Sequence, residues 1–187
     1  MNGPVDQMRE LAVPGSFVRP LAVHEDRRGS FAKGFSAEQL APLGLDIDVA
    51  ELFWSWSHRG VIRGMHAQLP PRGAARVVIC LSGRILDVVH DLRPGNEPKT
   101  DSVVLDGQSP AAVHVPVGVA HGFQVLSETA LVAYLASDDH APDYDTGVRW
   151  DSFGMVWPIM PPILSDRDAA LPTGAELLAS TAGRARS

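Results

Sequence analysis

Apolar residues run along this chain in short stretches broken by turn-forming residues, and a helical period is rare. The stretches predict strands over 49–56, 60–68, 75–81, 84–91, 101–105, 111–115, 122–126 and 130–136. Ser82-Gly83 lies between two apolar runs and predicts a hairpin turn, while Pro94-Gly95-Asn96 marks a longer loop. Helix signals are confined to two places. Ser36-Ala37-Glu38-Gln39 before Leu40 reads as a capping box that opens a short helix, and Thr173-Gly174-Ala175-Glu176 reads as a second start. Pro158 to Pro162 is expected to be a packed loop, and Ala182 to Ser187 a frayed tail. Many short strands with few helices predict an all-β fold, a β-sandwich or jelly roll.

Length and composition narrow the picture. The chain has 187 residues, 45% of them hydrophobic, enough for one well-cored domain whose core is expected over about 8–172. The formal net charge of -6 and the absence of a basic stripe argue against binding nucleic acid. A local cationic pocket remains compatible with that charge. Cys80 is the single cysteine, so no disulfide can form within the chain, and a reducing cytoplasm is expected. It sits in the apolar run Val77 to Leu81 and is expected to be buried packing. No signal peptide and no apolar segment of bilayer length is visible, so no membrane association is expected.

The candidate chemistry lies in five places. Gly60-Val61-Ile62-Arg63-Gly64-Met65-His66-Ala67-Gln68 places Arg, His and Gln together on one strand. Simple alternation puts His66 on the face of Ile62 and Gly64, with Arg63 opposite. To share a site with His66, Arg63 must reach around an edge, or a bulge must intervene at Gly60 or Gly64. Pro116-Val117-Gly118-Val119-Ala120-His121-Gly122-Phe123 reads as a turn followed by an inward His, a pattern common in cupin jelly rolls. Metal cupins add a second His beside the first, whereas here the earlier strand offers His66-Ala67-Gln68, so no metal is expected. Tyr134 shares a strand face with Val132 and Ala136. Asp87, an acid inside the apolar strand 84–91, needs a partner if buried, and orienting a His is the natural one. Leu164-Ser165-Asp166-Arg167-Asp168 taken alone is a solvated face or a helix start.

Taken in order, these segments resemble the dTDP-4-dehydrorhamnose 3,5-epimerase family. The matching stretches are Asp26 to Phe31, Gly60 to His66, Gln68 to Pro71, Ser82-Gly83 to Arg93, Val115 to Phe123, Tyr134 to Ser137, Trp157-Pro158 and Leu164 to Asp168. The resemblance implies a dimeric cupin jelly roll that uses neither metal nor cofactor and moves protons beside the ketone of a dTDP-4-keto-6-deoxy sugar. It implies His66 as the base, Asp168 as its paired acid and Tyr134 as the proton donor on the opposite sugar face. It implies Arg63 at the nucleotide diphosphate, Arg28 and Phe31 reaching the neighbouring subunit's site, and Asp87 and His121 in the pocket. The usual lysine near the enolate corresponds to Arg76, with Arg72 as the alternative. Arg keeps the charge and cannot shuttle a proton. Glu51, Phe53, Ala67 and His140 also depart from the family pattern, around nucleotide and sugar recognition, so the substrate pocket looks altered; Glu51, Gln68 and His140 are expected among its substrate-binding residues. An unusual 4-keto-6-deoxy sugar or a single inverted centre follows as an expectation. Rival readings are a metal-dependent cupin, a non-catalytic sugar-nucleotide binder, and a 3,4-ketoisomerase on the same fold.

Overall fold

The apolar stretches become strands of two facing sheets. The structure, a computed structural model, describes residues 8–41, 45, 47–95 and 97–177. One sheet has six strands in the order β1 (Arg9–Glu10), β2 (Phe17–Pro20), β10 (Ala111–Val115), β7 (Arg76–Ser82), β12 (Thr129–Ala136) and β5 (Glu51–His58). The other has five, in the order β13 (Asp145–Gly147), β6 (Ile62–Gln68), β11 (Val119–Val125), β8 (Arg84–Asp91) and β9 (Thr100–Asp106). A separate ribbon pairs β3 (Val23–Asp26) with β4 (Gly29–Ala32), and every residue in it is exposed. Short helices are α1 (Ala37–Leu40) and α2 (Asp166–Ala169), and residues 174–177 are helical as well. This is the expected all-β jelly roll.

Between the sheets lies one core cluster. Val78, Val113, Val132 and Tyr134 come from the six-stranded sheet, and Ile85, Val89, Leu105, Phe123 and Val125 from the five-stranded one. Strands β6, β8 and β11 are buried on their second face as well, because Trp157 and its neighbours Trp150, Phe153 and Leu164 cover Ile62, Met65, Val88 and Ala120. That explains why these strands read as continuous apolar runs. The Pro-rich segment is pinned as a packed loop. The buried Gln124 amide donates to the Ile159 carbonyl at 2.8 Å and accepts from the Ile159 N–H at 3.1 Å.

Two local expectations are corrected. Ser82-Gly83 is not the turn of a hairpin, because β7 and β8 belong to different sheets; it is the corner where the chain crosses between them. Gly83 has φ +80 there and lies against the Thr129 carbonyl, where a side chain has no room. The capping box at Ser36 does not form. Ser36 is an extended N-cap whose side chain makes no cap bond, and α1 lasts one turn. The second start, at Thr173, does carry a capping box: the Thr173 N–H donates to Glu176 Oε2 at 2.7 Å and the Glu176 N–H donates to Thr173 Oγ1 at 3.2 Å. Asn96 and the expected tail at 182–187 lie outside the described residues.

Candidate active site

Strand β6 carries a bulge, and the bulge builds the site. Opposite β11, His66 pairs with His121 and Arg63 with Phe123. Gly64 and Met65 on β6 therefore face Gly122 alone, so the side-chain phase slips by one. Arg63 and His66, opposed under simple alternation, now line the same cavity. Gly64 has φ +126, and a Cβ on it would stand 2.6 Å from the Gly122 Cα and 2.9 Å from the His121 carbonyl oxygen. Two glycines face each other here because the strands leave no room for anything larger.

The cavity, about 320 Å³, collects His66, His121, Tyr134, Arg63, Arg76 and Asp168. Asp168 reaches it from α2, where Ser165 caps the helix by accepting from the Asp168 N–H at 3.1 Å. The buried Asp168 carboxylate accepts from His66 Nε2 at 2.6 Å and from the Gly64 N–H at 3.3 Å. Burial works to raise its pKa; the His66 hydrogen bond and charge, the Gly64 N–H and Arg167 outweigh burial and hold it below the ordinary carboxylate range. With Nε2 engaged, the free nitrogen of His66 is Nδ1.

A second pair lies beside the first. His121 Nε2 meets Asp87 Oδ2 at 2.7 Å, both residues being buried, so Asp87 does orient a His. Tyr134 stands edge-on to His121 at 6.0 Å between ring centroids and stacks on Phe53 at 4.8 Å. Burial raises the Tyr134 hydroxyl well above the usual phenol range; the Ser55 hydroxyl, Arg63 and Arg76 offset this only partly.

Three guanidinium groups face the cavity. Arg76 donates to the His66 carbonyl at 3.1 Å, and burial lowers its pKa while Asp145 and Tyr134 work to raise it. Arg72, the alternative for the cation beside the enolate, is tied to Asp138 at 2.7 and 2.8 Å and does not line this cavity. Arg63 donates to Ser57 Oγ at 2.8 Å. Arg167, clamped by Asp145 at 2.6 Å, was not expected from sequence, and neither were Trp54, Ser55 and Ser165. The signal for Ser55 was strand alternation from Glu51 through Phe53, and that for Ser165 was its place as helix cap.

An adjoining cavity of about 250 Å³ shares Phe53 and Arg76 with the first and brings together Glu51, Gln68, Asp138 and His140. The Gln68 amide is committed to backbone, donating to the Arg72 and Asp139 carbonyls and accepting from the Ala141 N–H. Arg28 and Phe31 are not part of either cavity. They project from the β3–β4 ribbon, where Arg28 pairs with Asp26 and Phe31 is 64% exposed. Cys80 is buried, and burial raises its thiol to about 11, which keeps it an unreactive packing residue. Among the described residues, no three His, Cys, Asp or Glu side chains gather as a metal-binding group, and no helix is long and apolar enough to cross a membrane.

The family model described as dTDP-4-dehydrorhamnose 3,5-epimerase matches residues 10–176. The chain belongs to that family. Within it, the chain is 38% identical over 181 residues to the dTDP-4-dehydrorhamnose 3,5-epimerase of Mycobacterium tuberculosis, covering 92% of this chain and 89% of the other. It is similar to the crystal structure of a 4-keto-6-deoxy sugar epimerase from the novobiocin biosynthetic gene cluster of Streptomyces spheroides, with a TM-score of 0.88 at 32% identity over 95% of this chain and 90% of that one. It is also similar to a 3'-monoepimerase of Streptomyces bikiniensis solved with dTDP-quinovose, with a TM-score of 0.87 at 33% identity over 94% and 91% of the two chains. By family, then, the chain is an isomerase of the epimerase class.

Proposed function

We propose that this epimerase inverts one or two carbons beside the C4 ketone of a dTDP-4-keto-6-deoxy sugar, using side chains alone. The observation that carries the reading is the His66–Asp168 pair and Tyr134 lining one cavity. A ketone at C4 acidifies the protons on C3 and C5, because the electron pair left behind delocalises onto oxygen. His66 takes such a proton on Nδ1. Asp168 accepts from Nε2, fixes the ring and stabilises its charged form. Tyr134 keeps its proton at neutral pH because burial raises its pKa, and it gives that proton to the other face of the carbon, inverting it. Arg76 supplies fixed positive charge to the enolate and takes no part in proton traffic.

The substrate's diphosphate is matched to Arg63 and Arg167 at the cavity wall. Arg28 and Phe31 complete the site from a second copy of the chain. Incubation with dTDP-4-keto-6-deoxyglucose in deuterium oxide tests the reading. Deuterium at C3, at C5 or at both is expected by NMR, and its pattern counts the inverted centres. Incorporation at neither carbon, or full exchange retained in His66→Ala, would overturn it.

A further inference from the structure

Tyr134 is held from two directions, and one of its neighbours is an aromatic ring with no proton chemistry of its own. In the six-stranded sheet Tyr134 pairs with Val78 of β7 on one side and with Phe53 of β5 on the other. The Phe53 and Tyr134 rings stack at 4.8 Å between centroids with 12° between their planes, while His121 meets the phenol edge-on at 6.0 Å. Phe53 is 40% exposed and belongs to none of the buried clusters, so core packing does not account for it. It lines both the catalytic cavity and the adjoining one and so stands at the boundary between them. It is also a position at which the chain departs from its family's pattern, so family membership does not supply its role.

The stack bears on a step whose outcome depends on where the phenol lies. In a gluco-configured pyranose, H3 and H5 point to the same face, on the two carbons that flank C4. A base on that face can reach either proton, and each inversion needs a new proton delivered to the same carbon from the other face. A proton donor works within about 2.6–3.2 Å of its target. Misplacement by about 1 Å can cost about 10²-fold in rate. C4 separates the two carbons, so a hydroxyl centred on one is out of line for the other. A phenol free to swing about its side-chain torsions can serve both. A phenol set between a stacked ring and an imidazole edge serves one, and aromatic pairing of this kind favours the stacked position by up to about tenfold.

We propose that Phe53 is a positioning residue that fixes Tyr134 over one of the two carbons and so limits this epimerase to a single inversion; this rests on the epimerase reading above. At that carbon the C–H bond breaks, its proton goes to His66 and its electron pair to the C4 oxygen. The Tyr134 O–H then gives its proton to the carbon from the opposite face as the C4 carbonyl reforms. The phenolate takes a proton from solvent, and His66 releases one to it. At the other carbon His66 removes a proton and returns one to the same face, which exchanges hydrogen and leaves the configuration unchanged.

The test scores deuterium incorporation and configuration at C3 and at C5 of dTDP-4-keto-6-deoxyglucose by NMR in deuterium oxide, for wild type, Phe53→Leu and Phe53→Tyr, with dTDP affinity measured alongside. Wild type is expected to invert one carbon. Phe53→Leu keeps an apolar side chain and removes the stack. It should bring inversion at the second carbon to within about tenfold of the first. Inversion at the first carbon should fall by more than exchange does, with KM and dTDP affinity nearly unchanged. Phe53→Tyr keeps the stack and should restore the single-carbon product. Several results would overturn the role: a wild type that inverts both carbons at similar rates, a Phe53→Leu variant that still inverts one, exchange and inversion that fall in step, or a Phe53→Tyr product like that of Phe53→Leu. Should Phe53→Leu fail to fold, Phe53→Met decides by the same outcomes. A wild type that exchanges no proton at either carbon defeats the epimerase reading itself, a result separate from the others.

Discussion

At the residue scale the site depends on pairs that sequence spacing does not reveal. His66 and Asp168 are 102 residues apart, and nothing in the local pattern Ser165-Asp166-Arg167-Asp168 shows that its last acid turns inward. The capping geometry accounts for it: Ser165 starts the helix, so the third residue of the turn faces β6. Only the resemblance assigned Asp168 beforehand. Asp87, by contrast, was legible from physics, since an acid in an apolar strand must find a partner. Asp168→Asn keeps the shape and removes the charge that holds the His66 ring. It should lower kcat by about 10²–10⁴-fold while leaving dTDP affinity within a few-fold, measured by steady-state kinetics and calorimetry. The same substitution has a stability signature. The Asp168 carboxyl is held below its ordinary value of 3.8, so its contribution is complete above that value and is lost as pH falls through the lower folded one. Urea midpoints recorded as pH is lowered below 3.8 should therefore fall less steeply in Asp168→Asn than in wild type.

At the scale of elements, the strands of five or more residues, β5 to β12, were readable, and β1 to β4 and β13, of four residues or fewer, were not. The expected strand 111–115 matches β10, and the other central strands agree to within a few residues at their ends. Strands β3 and β4 were missed because all their residues are exposed and no apolar alternation marks them. Strand β13 is three residues long and takes its place from pairing with β6 rather than from its own sequence. The bulge at Gly64 was the decisive element-level feature. Alternation alone separates Arg63 from His66, and only the glycine hinted that the phase would break. Gly64→Ala is expected to destabilise the fold by more than about 1 kcal/mol, because φ is positive and the new Cβ meets backbone. It should also move His66 relative to Arg63, so exchange activity should fall further than the loss of folded protein explains. Thermal unfolding together with activity per folded molecule separates the two effects.

At the scale of the whole molecule, the six-stranded sheet ends, among the described residues, in an exposed apolar edge. Strand β5 is eight residues long, lies at the end of the sheet among the described residues, and exposes Leu52, Trp54 and Trp56 at 62%, 68% and 58%. Long apolar edges of this kind invite pairing. The β3–β4 ribbon makes the same demand from another direction, since an isolated two-stranded ribbon is marginal in water. Between the ribbon and the sheet lies a groove of about 590 Å³ walled in part by Leu21, Val23, Ile79 and Leu81. A second copy of the chain would meet both needs at once. In the dimer proposed above, a twofold-related contact would offer each exposed edge an identical one and would let the ribbon leave its own subunit to bring Arg28 and Phe31 to the neighbour's cavity. Sedimentation should accordingly give a dimer for the wild type. The double substitution Leu52→Lys and Trp56→Glu, which touches neither His66 nor Tyr134, should shift the chain to monomer. If the second copy completes the site, dTDP affinity must fall with the dimer. Mixing Arg28→Ala with His66→Ala subunits should then restore part of the activity that each lacks alone. A monomeric wild type with full exchange activity would show that one chain suffices and that the ribbon serves some other contact.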